Sequence, residues 1–293
     1  MIKKNFLDLK KNNLSEAQFV IVPFGFEATI SYGGGTKNGP RAIIEASSQV
    51  ELFDEELWLE TYKKTNIVTW PEIKPAKAVP AAKKQISGII AKILKEKKLS
   101  ITLGGDHSIT PFIIEACRNV GYKDFSILQF DAHADLRDGY LGQKYSHAAA
   151  MRRCLDNEGI NLAQVGIRNI SNENDELNFW KKNQLRIKTF WARDKKRWKI
   201  AEMVKALKKN VYISFDVDAF DSSLVPTTGT PEPGGLDWYE TLDILRAVCK
   251  QKNIIGVDFV ELAPIKNFHA PDFLVAKLVY KTIGYIFKGK NNN

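Results

Sequence analysis

Short apolar runs bounded by Gly, Asp or Asn alternate with longer amphipathic stretches along almost the whole chain, and this alternation leaves few folds open. A strand buried on both faces reads as a short unbroken apolar run, and parallel neighbours are joined by a crossover, usually a helix. Strands are predicted at Phe19 to Pro23, Asn66 to Thr69, Ser100 to Leu103, Ser126 to Phe130, Leu162 to Val165, Ile187 to Phe190, Val211 to Phe215 and Ile254 to Val257. Between them, helices fit Pro40 to Gln49, Pro80 to Lys97, Ser108 to Asn119, His147 to Asp156, Asn174 to Asn183, Lys199 to Lys208, Trp238 to Cys249 and Pro271 to Phe287. The pattern is that of one continuous α/β domain over residues 1–293, with a mostly parallel sheet of about eight strands. No Pro-, Gly- or Ser-rich linker divides it, and the one low-complexity feature is the Asn291 to Asn293 tail. Periodicity admits both an open sheet and a (β/α)8 barrel.

A chain of 293 residues can bury a sufficient core without disulfide or metal staples, so metal ligands found here serve something other than stability. Its 44% hydrophobic and 26% charged content excludes disordered and collagen-like classes. The net charge of +9 is spread over groups at Lys3-Lys4, Lys10-Lys11, Lys83 to Lys98, Lys195 to Lys199 and Lys288 to Lys290. These lie at helical spacing or in turns, without interleaved aromatics, and read as solvated faces instead of a nucleic-acid surface. Cys117, Cys154 and Cys249 show no C-x-x-C spacing, which argues against a disulfide framework or zinc ribbon and fits a reducing cytoplasm. The opening Met1 to Asp8 has no secretory apolar core, and no apolar run reaches about 18 residues, so neither export nor membrane spanning is expected.

The unusual residues sit at strand ends. The chain has only four histidines, and three fall just after predicted strands or one loop further on. They belong to Gly104-Gly105-Asp106-His107-Ser108, to Asp131-Ala132-His133-Ala134-Asp135 and to Ser146-His147; Asp216-Val217-Asp218 ends another strand. In open α/β sheets and barrels alike, the carboxyl ends of the strands form the rim where ligands bind. In extended chain, residues i, i+2 and i+4 point the same way, so Asp131, His133 and Asp135 are expected to aim at one spot, as are Asp216 and Asp218. Four carboxylates packed together repel, and divalent cations are the natural compensation. The four aspartates with His107 and His133 suffice for two such ions, with Asp131 and Asp216 available as bridges, and two ions would activate a water at neutral pH.

A lone D-x-H or D-x-D after a strand is more often a cap or turn. Two of them together with G-G-D-H, in a chain so poor in histidine, favour a metal site. His269 has no carboxylate at ligand spacing and reads as a surface or packing residue. The glycine run from Ser31 to Pro40 invites a phosphate-loop reading but carries Pro40-Arg41 where Lys-Ser/Thr is required, so a loop at the rim is expected.

These motifs resemble the ureohydrolase family, which includes arginase and agmatinase, over nearly the entire chain. The stretches that carry the resemblance are Gly33 to Ser47, Thr102 to Ser108, Phe130 to Arg153, Ser214 to Leu236 and Asp258 to Pro264. The resemblance implies a three-layer α/β/α fold and a binuclear manganese site that hydrolyses guanidino groups to urea. It implies one ion on His107, Asp131, Asp135 and Asp216, and the other on Asp131, His133, Asp216 and Asp218. By the same resemblance Asp135 would orient the nucleophile, Glu261 would bind the guanidinium and His147 would pass a proton to the leaving amine. Thr230 would make a weaker substrate contact. The ligand set suits Mn²⁺ and is also compatible with Zn, Co, Fe or Ni. Family members are usually trimers or hexamers, which implies a homo-oligomer.

The loop from Leu136 to Tyr145 lacks the Ser-x-Asn character with which arginases bind the α-carboxylate and α-amino group of arginine, so the chain resembles agmatinases more. The implied reaction is agmatine to putrescine plus urea, a step of polyamine biosynthesis. The tail ammonium would meet Asp138, Tyr140 or Tyr145, whereas an acidic substrate would need Arg137 or Lys144. Ala148-Ala149-Ala150 departs from many members and leaves guanidinobutyrase, guanidinopropionase or arginase activity as alternatives. A catalytically silent, metal-stabilised binding protein is disfavoured because every ligand, His147 and Glu261 are present. A one-zinc deacetylase is disfavoured by the extra carboxylates Asp135 and Asp218, and a metallophosphatase by the missing Asn-His motif.

Overall fold

Both faces of the inner strands are buried, which is why they read as short apolar runs. In β1 (Phe19–Phe24), Phe19 and Ile21 join one hydrophobic cluster while Val20, Val22 and Phe24 join another on the opposite face. The computed structural model describes residues 4–10 and 13–291; Lys3 and Lys11 of the basic groups, and Asn292 and Asn293 of the tail, lie outside them. The remaining sheet strands are β2 (Ile67–Thr69), β3 (Leu99–Gly104), β4 (Phe125–Phe130), β5 (Ile160–Ile167), β6 (Ile187–Trp191), β7 (Asn210–Asp216) and β8 (Asn253–Val260). They form one parallel, eight-stranded sheet in the order β2-β1-β3-β8-β7-β4-β5-β6. The sheet is open, with β2 and β6 at its edges, so the barrel is excluded.

Helices cover each face. The cluster containing Phe19 and Ile21 is closed by α1 (Gly39–Ser47), α6 (Ile200–Lys205), α7 (Trp238–Gln251) and α8 (Ala270–Asn291). The opposite cluster is closed by α2 (Val79–Lys95), α3 (Thr110–Asn119), α4 (Ala150–Leu155) and α5 (Glu176–Lys182). This is the three-layer α/β/α fold expected. Cys117, Cys154 and Cys249 are free and buried in these layers. No helix among the described residues is long and apolar enough to cross a membrane.

Three boundary differences bear on the site. Strand β8 runs on past Val257 to Val260, which sets Asp258 inside the sheet and Glu261 directly at its carboxyl end. The predicted helices at Ser108 and His147 begin instead as tight 3-10 turns, His107–Ile109 and His147–Ala149, so both histidines stand at helix entrances and not within helices. Asp106 enforces the first turn by accepting the Ser108 N–H. Its approach depends on Gly105, where a Cβ would stand 1.9 Å from the Phe26 carbonyl oxygen. A two-stranded ribbon, Phe53–Asp54 with Leu59–Glu60, and the one-turn helix Thr61–Lys64 lie between the predicted elements.

Candidate metal centre and cavity

The sheet order sets the ends of β3, β8, β7 and β4 side by side, and each delivers polar residues to the same rim. His107 follows β3, Glu261 follows β8, Asp216 and Asp218 close β7, and Asp131 to Asp135 follow β4. His107 Nδ1 lies 3.0 Å from Asp135 Oδ2, 3.2 Å from Asp131 Oδ2 and 3.3 Å from Asp216 Oδ2. His133 Nδ1 lies 2.8 Å from Asp218 Oδ2 and 3.7 Å from Asp131 Oδ1. Two ligand groups result, His107–Asp131–Asp135 and Asp131–His133–Asp218, and Asp131 belongs to both, offering one oxygen to each.

The segment after β4 does not behave as a uniform extended chain. Asp135 has φ of +54°, so its side chain leaves the alternation and joins His107, while His133 turns to Asp218. The three side chains therefore serve two neighbouring spots, not one. Asp216 faces His107 through Oδ2, while its Oδ1 accepts the Asp218 N–H at 2.9 Å. Glu261 also has positive φ, +66°. Left-handed backbone is costly for residues other than Gly, and such strain concentrates at functional sites.

His107 carries the clearest sign of what the site is built to hold. Its Nε2 lies 2.9 Å from Ser214 Oγ, and Ser214 donates its own proton to buried Asp258 Oδ1 at 2.8 Å. Asp258 also accepts from Tyr212 OH (2.7 Å) and Thr110 Oγ1 (3.0 Å). Ser214 must then accept from Nε2–H, so the Nδ1 lone pair faces the carboxylates. That atom is buried and makes no hydrogen bond despite three carboxylate oxygens close by. A buried lone pair and converging carboxylates fit a divalent cation.

The titration of the bare cluster carries the same message. Burial lowers the His107 pKa, but Asp131, Asp135 and Asp216 outweigh it and raise it well above the ordinary value. Burial likewise opposes the charge on His133, yet Asp218 and Asp131 raise it. Burial and the Asp131 charge push Asp135 up to about 7, and burial with Asp218 and Asp131 raises Asp216 strongly. Asp131, held by both histidines, is lowered against its burial. Asp135 and Asp216 resist ionisation here, so the bare cluster takes up protons where a cation would otherwise sit.

Above the cluster opens a cavity of about 220 Å³. Its wall includes Glu261, His147, Thr230, Glu232, Asn169, Tyr140, Arg137 and Glu176. Glu261 is half-buried, and its partial burial, then the neighbouring Asp106 charge, raise its pKa; one carboxylate oxygen accepts the His107 N–H at 2.6 Å. The Ser31 to Pro40 run lies at the rim as expected, with Ser31, Gly33 and Thr36 on the wall. Gly33 N–H donates to Gly229 O at 3.3 Å, tying this run to the loop that carries Thr230. His269 is exposed and outside the cavity.

Of the expected tail groups, only Tyr140 and Arg137 line the cavity. Asp138 points outward to Arg153 at 2.7 Å, the Tyr145 ring packs 5.7 Å from that of Phe112, and Lys144 is exposed. Arg137 lies over the Tyr140 ring (4.4 Å), with Nε 3.7 Å from Glu176. The carboxylate overlooked in the sequence is Glu232, oriented by Asn169 Nδ2 at 2.8 Å and 3.9 Å from His133 Nε2. It stands in the Thr230-Pro231-Glu232-Pro233 stretch, where its acidity was the available signal. Glu176 and Thr29 are brought in from distant segments and gave no local signal.

The open α/β/α sheet and its carboxylate–imidazole centre define a protein class that gathers cation ligands at strand ends beneath a small polar cavity. Comparison with known proteins makes this specific. A profile of the arginase family matches residues 17–284. The chain is 36% identical over 291 residues to the N(1)-aminopropylagmatine ureohydrolase of Synechocystis sp., covering 96% of this chain and 94% of that protein. It is 32% identical over 288 residues to the agmatinase of Pyrococcus horikoshii, covering 95% of each. The crystal structure of the agmatine ureohydrolase of Thermoplasma volcanium superposes with a TM-score of 0.86 at 27% identity, over 96% of this chain and 94% of that one. The chain belongs to the arginase family.

Proposed function

We propose that this protein hydrolyses the guanidino group of an alkylguanidine with a cationic tail, releasing urea and an amine. The observation that carries this reading is the buried, unpaired His107 Nδ1 facing Asp131, Asp135 and Asp216, next to the Asp131–His133–Asp218 group and beneath a cavity walled by Glu261 and His147. One divalent cation would be held by His107, Asp131, Asp135 and Asp216, and a second by Asp131, His133, Asp216 and Asp218. Bound there, the cations would supply Lewis acidity and an activated water nucleophile at neutral pH. Mn²⁺ is the ion we assign, as oxygen-rich ligand sets with imidazole suit it.

The chain's own residues position the rest. The His107 amide fixes one oxygen of Glu261, leaving a rigid carboxylate to receive guanidinium N–H groups by charge-assisted hydrogen bonds. Asp135, held at positive φ, orients the nucleophile. Burial lowers the His147 pKa, so its ring is neutral near pH 7 and able to accept a proton and deliver it to the departing amine nitrogen. Thr230 lines the same wall as a lesser contact.

For the substrate we assign agmatine, with N(1)-aminopropylagmatine as a second reading favoured by the names of relatives 36–38% identical. Both pair a guanidinium with a cationic tail and lack a carboxylate. Glu232, the carboxylate on the cavity wall beside Asn169, suits that tail. An arginine carboxylate would lose water near Glu232 and Glu176, while Arg137 is already engaged by Glu176 and Tyr140. On this assignment the protein would act in polyamine biosynthesis. We further propose that it acts as a single domain and a cytoplasmic homo-oligomer, trimer or hexamer. The three unpaired cysteines support the reducing compartment, and exposed Trp58 and Tyr239 are surface available for assembly. Urea release from agmatine, N(1)-aminopropylagmatine, arginine, 4-guanidinobutyrate and 3-guanidinopropionate tests the assignment, with metal analysis alongside. Agmatine should exceed arginine by about 10² in kcat/KM; better turnover of an acidic compound overturns the tail assignment.

A further inference from the structure

His147 is held from behind by a chain of groups that the motifs do not announce. Thr29, in the loop after β1, and Asp106, after β3, are both buried. Asp106 Oδ2 accepts the backbone N–H groups of Ala28 (2.8 Å) and Thr29 (2.9 Å) and lies 3.2 Å from Thr29 Oγ1. Its Oδ1 accepts from Ser108 N at 3.1 Å and from Ser108 Oγ. Thr29 Oγ1 in turn accepts the His147 backbone N–H at 3.0 Å and lies 3.1 Å from His147 Nδ1.

A hydroxyl has one proton and two lone pairs, so its bonds can be assigned by counting. One lone pair of Thr29 is used by the His147 N–H. The proton has two candidate acceptors, the Asp106 carboxylate and a neutral ring nitrogen, and the charge-assisted bond to the carboxylate is the stronger. The other lone pair is left for His147 Nδ1, which must therefore carry the ring proton. Ser146 Oγ also approaches Nδ1, but only at 3.5 Å. Nε2 is left as the nitrogen available to the cavity, with the ring edge set against Tyr140 at 6.0 Å between centroids.

We propose that Thr29 and Asp106 are positioning residues that fix His147 in its Nδ1–H tautomer, so that unprotonated Nε2 faces the substrate. The role assigned to that nitrogen rests on the hydrolytic function proposed above; the tautomer does not. Wrong-tautomer histidines are known to be severely impaired as general bases even when their geometry is intact. Burial holds the ring below its ordinary pKa, so near neutrality it carries one proton and the relay decides which nitrogen holds it.

The test uses the full-length protein loaded with diamagnetic Zn²⁺ and labelled with ¹⁵N-histidine, the His147 ring being assigned by comparison with His147→Asn. In the wild type, Nδ1 should resonate as protonated and Nε2 as unprotonated. Thr29→Val, which keeps the shape and removes the hydroxyl, should shift the ring toward a tautomer mixture and lower kcat by about 10² while metal content and KM hold. Thr29→Ser should restore both signals and rate. A wild-type ring protonated at Nε2 overturns the proposal whether or not the valine variant folds. So does a folded Thr29→Val with unchanged ring signals and kcat. Absence of urea release by the wild type would instead remove the proposed reaction and leave the tautomer measurement standing.

Discussion

Two places among the described residues gather carboxylates closely, and they resolve the resulting repulsion in different ways. On α8, the Lys281 ammonium is buried and lies 2.8 Å from Asp54, 3.0 Å from Glu55 and 3.5 Å from Glu56. Tyr285 OH donates to Glu56 at 2.5 Å, and Arg246 pairs with the same carboxylate. Burial works against the Lys281 charge, yet Asp54 and Glu55 raise its pKa, so the ammonium stays charged. At the strand ends, Asp131, Asp135, Asp216 and Asp218 have only the imidazoles of His107 and His133 between them. The difference teaches what each region is for. A cation carried on the chain completes a structural cluster, whereas a cluster compensated only by titratable rings is left open to an ion from solution.

The sharpest way to break this contrast is to neutralise the shared ligand. Asp131→Asn should remove most bound metal and reduce urea release to background, since Asp131 faces both ligand groups; two ions per chain by elemental analysis, with normal turnover, would overturn the shared-ligand assignment. His147→Asn should lower kcat by about 10²–10⁴ with metal content unchanged, because His147 belongs to neither ligand group. Loss of an ion in that variant would make His147 a ligand. Lys281→Met should do the reverse, leaving metal binding in the folded protein intact while destabilising it by about 3 kcal/mol in urea unfolding. The loss is held to this size because Asp54 keeps the N–H groups of Glu56 and Leu57.

The two regions should also differ in how stability varies with pH once metal is stripped. His107 and His133 have folded-state pKa values raised above 6.5, and Asp135 is raised from 3.8 to about 7. Groups shifted this way stabilise the fold at low pH and lose that contribution as pH rises through the folded values. Metal-free protein should therefore lose stability as pH rises through about 7, where Asp135 releases its proton, and further as His107 and His133 lose theirs above 6.5, and added Mn²⁺ should flatten the profile. The Lys281 cluster should contribute no slope over this range, its ammonium being raised further above 10.5. A flat profile for metal-free protein would contradict proton uptake by the centre. The smallest effect is expected at the cavity mouth, where Glu232→Gln should raise KM for agmatine by about tenfold and spare kcat.

Much of this centre could be read along the chain because its pieces are short and local. His107, Asp131, His133, Asp135, Asp216 and Asp218 lie at the ends of apolar runs whose strand identity follows from burial on both faces. Even so, local spacing misjudged Asp135, whose positive φ breaks the alternation, and it overlooked Glu232. Nothing near Lys281 announced its partners, which lie more than 200 positions away.

The sequence by itself determined the α/β class, the strand positions and the residue types at strand ends, because periodicity and turn chemistry act over a few residues. Only the tertiary structure decided which strand ends become neighbours. The order β2-β1-β3-β8-β7-β4-β5-β6 brings Glu261 to the His107 amide across 154 positions and Thr29 to His147 across 118. Such pairings depend on how whole strands pack side by side, and a hydrogen bond closed over that distance leaves no mark in the local pattern of either residue.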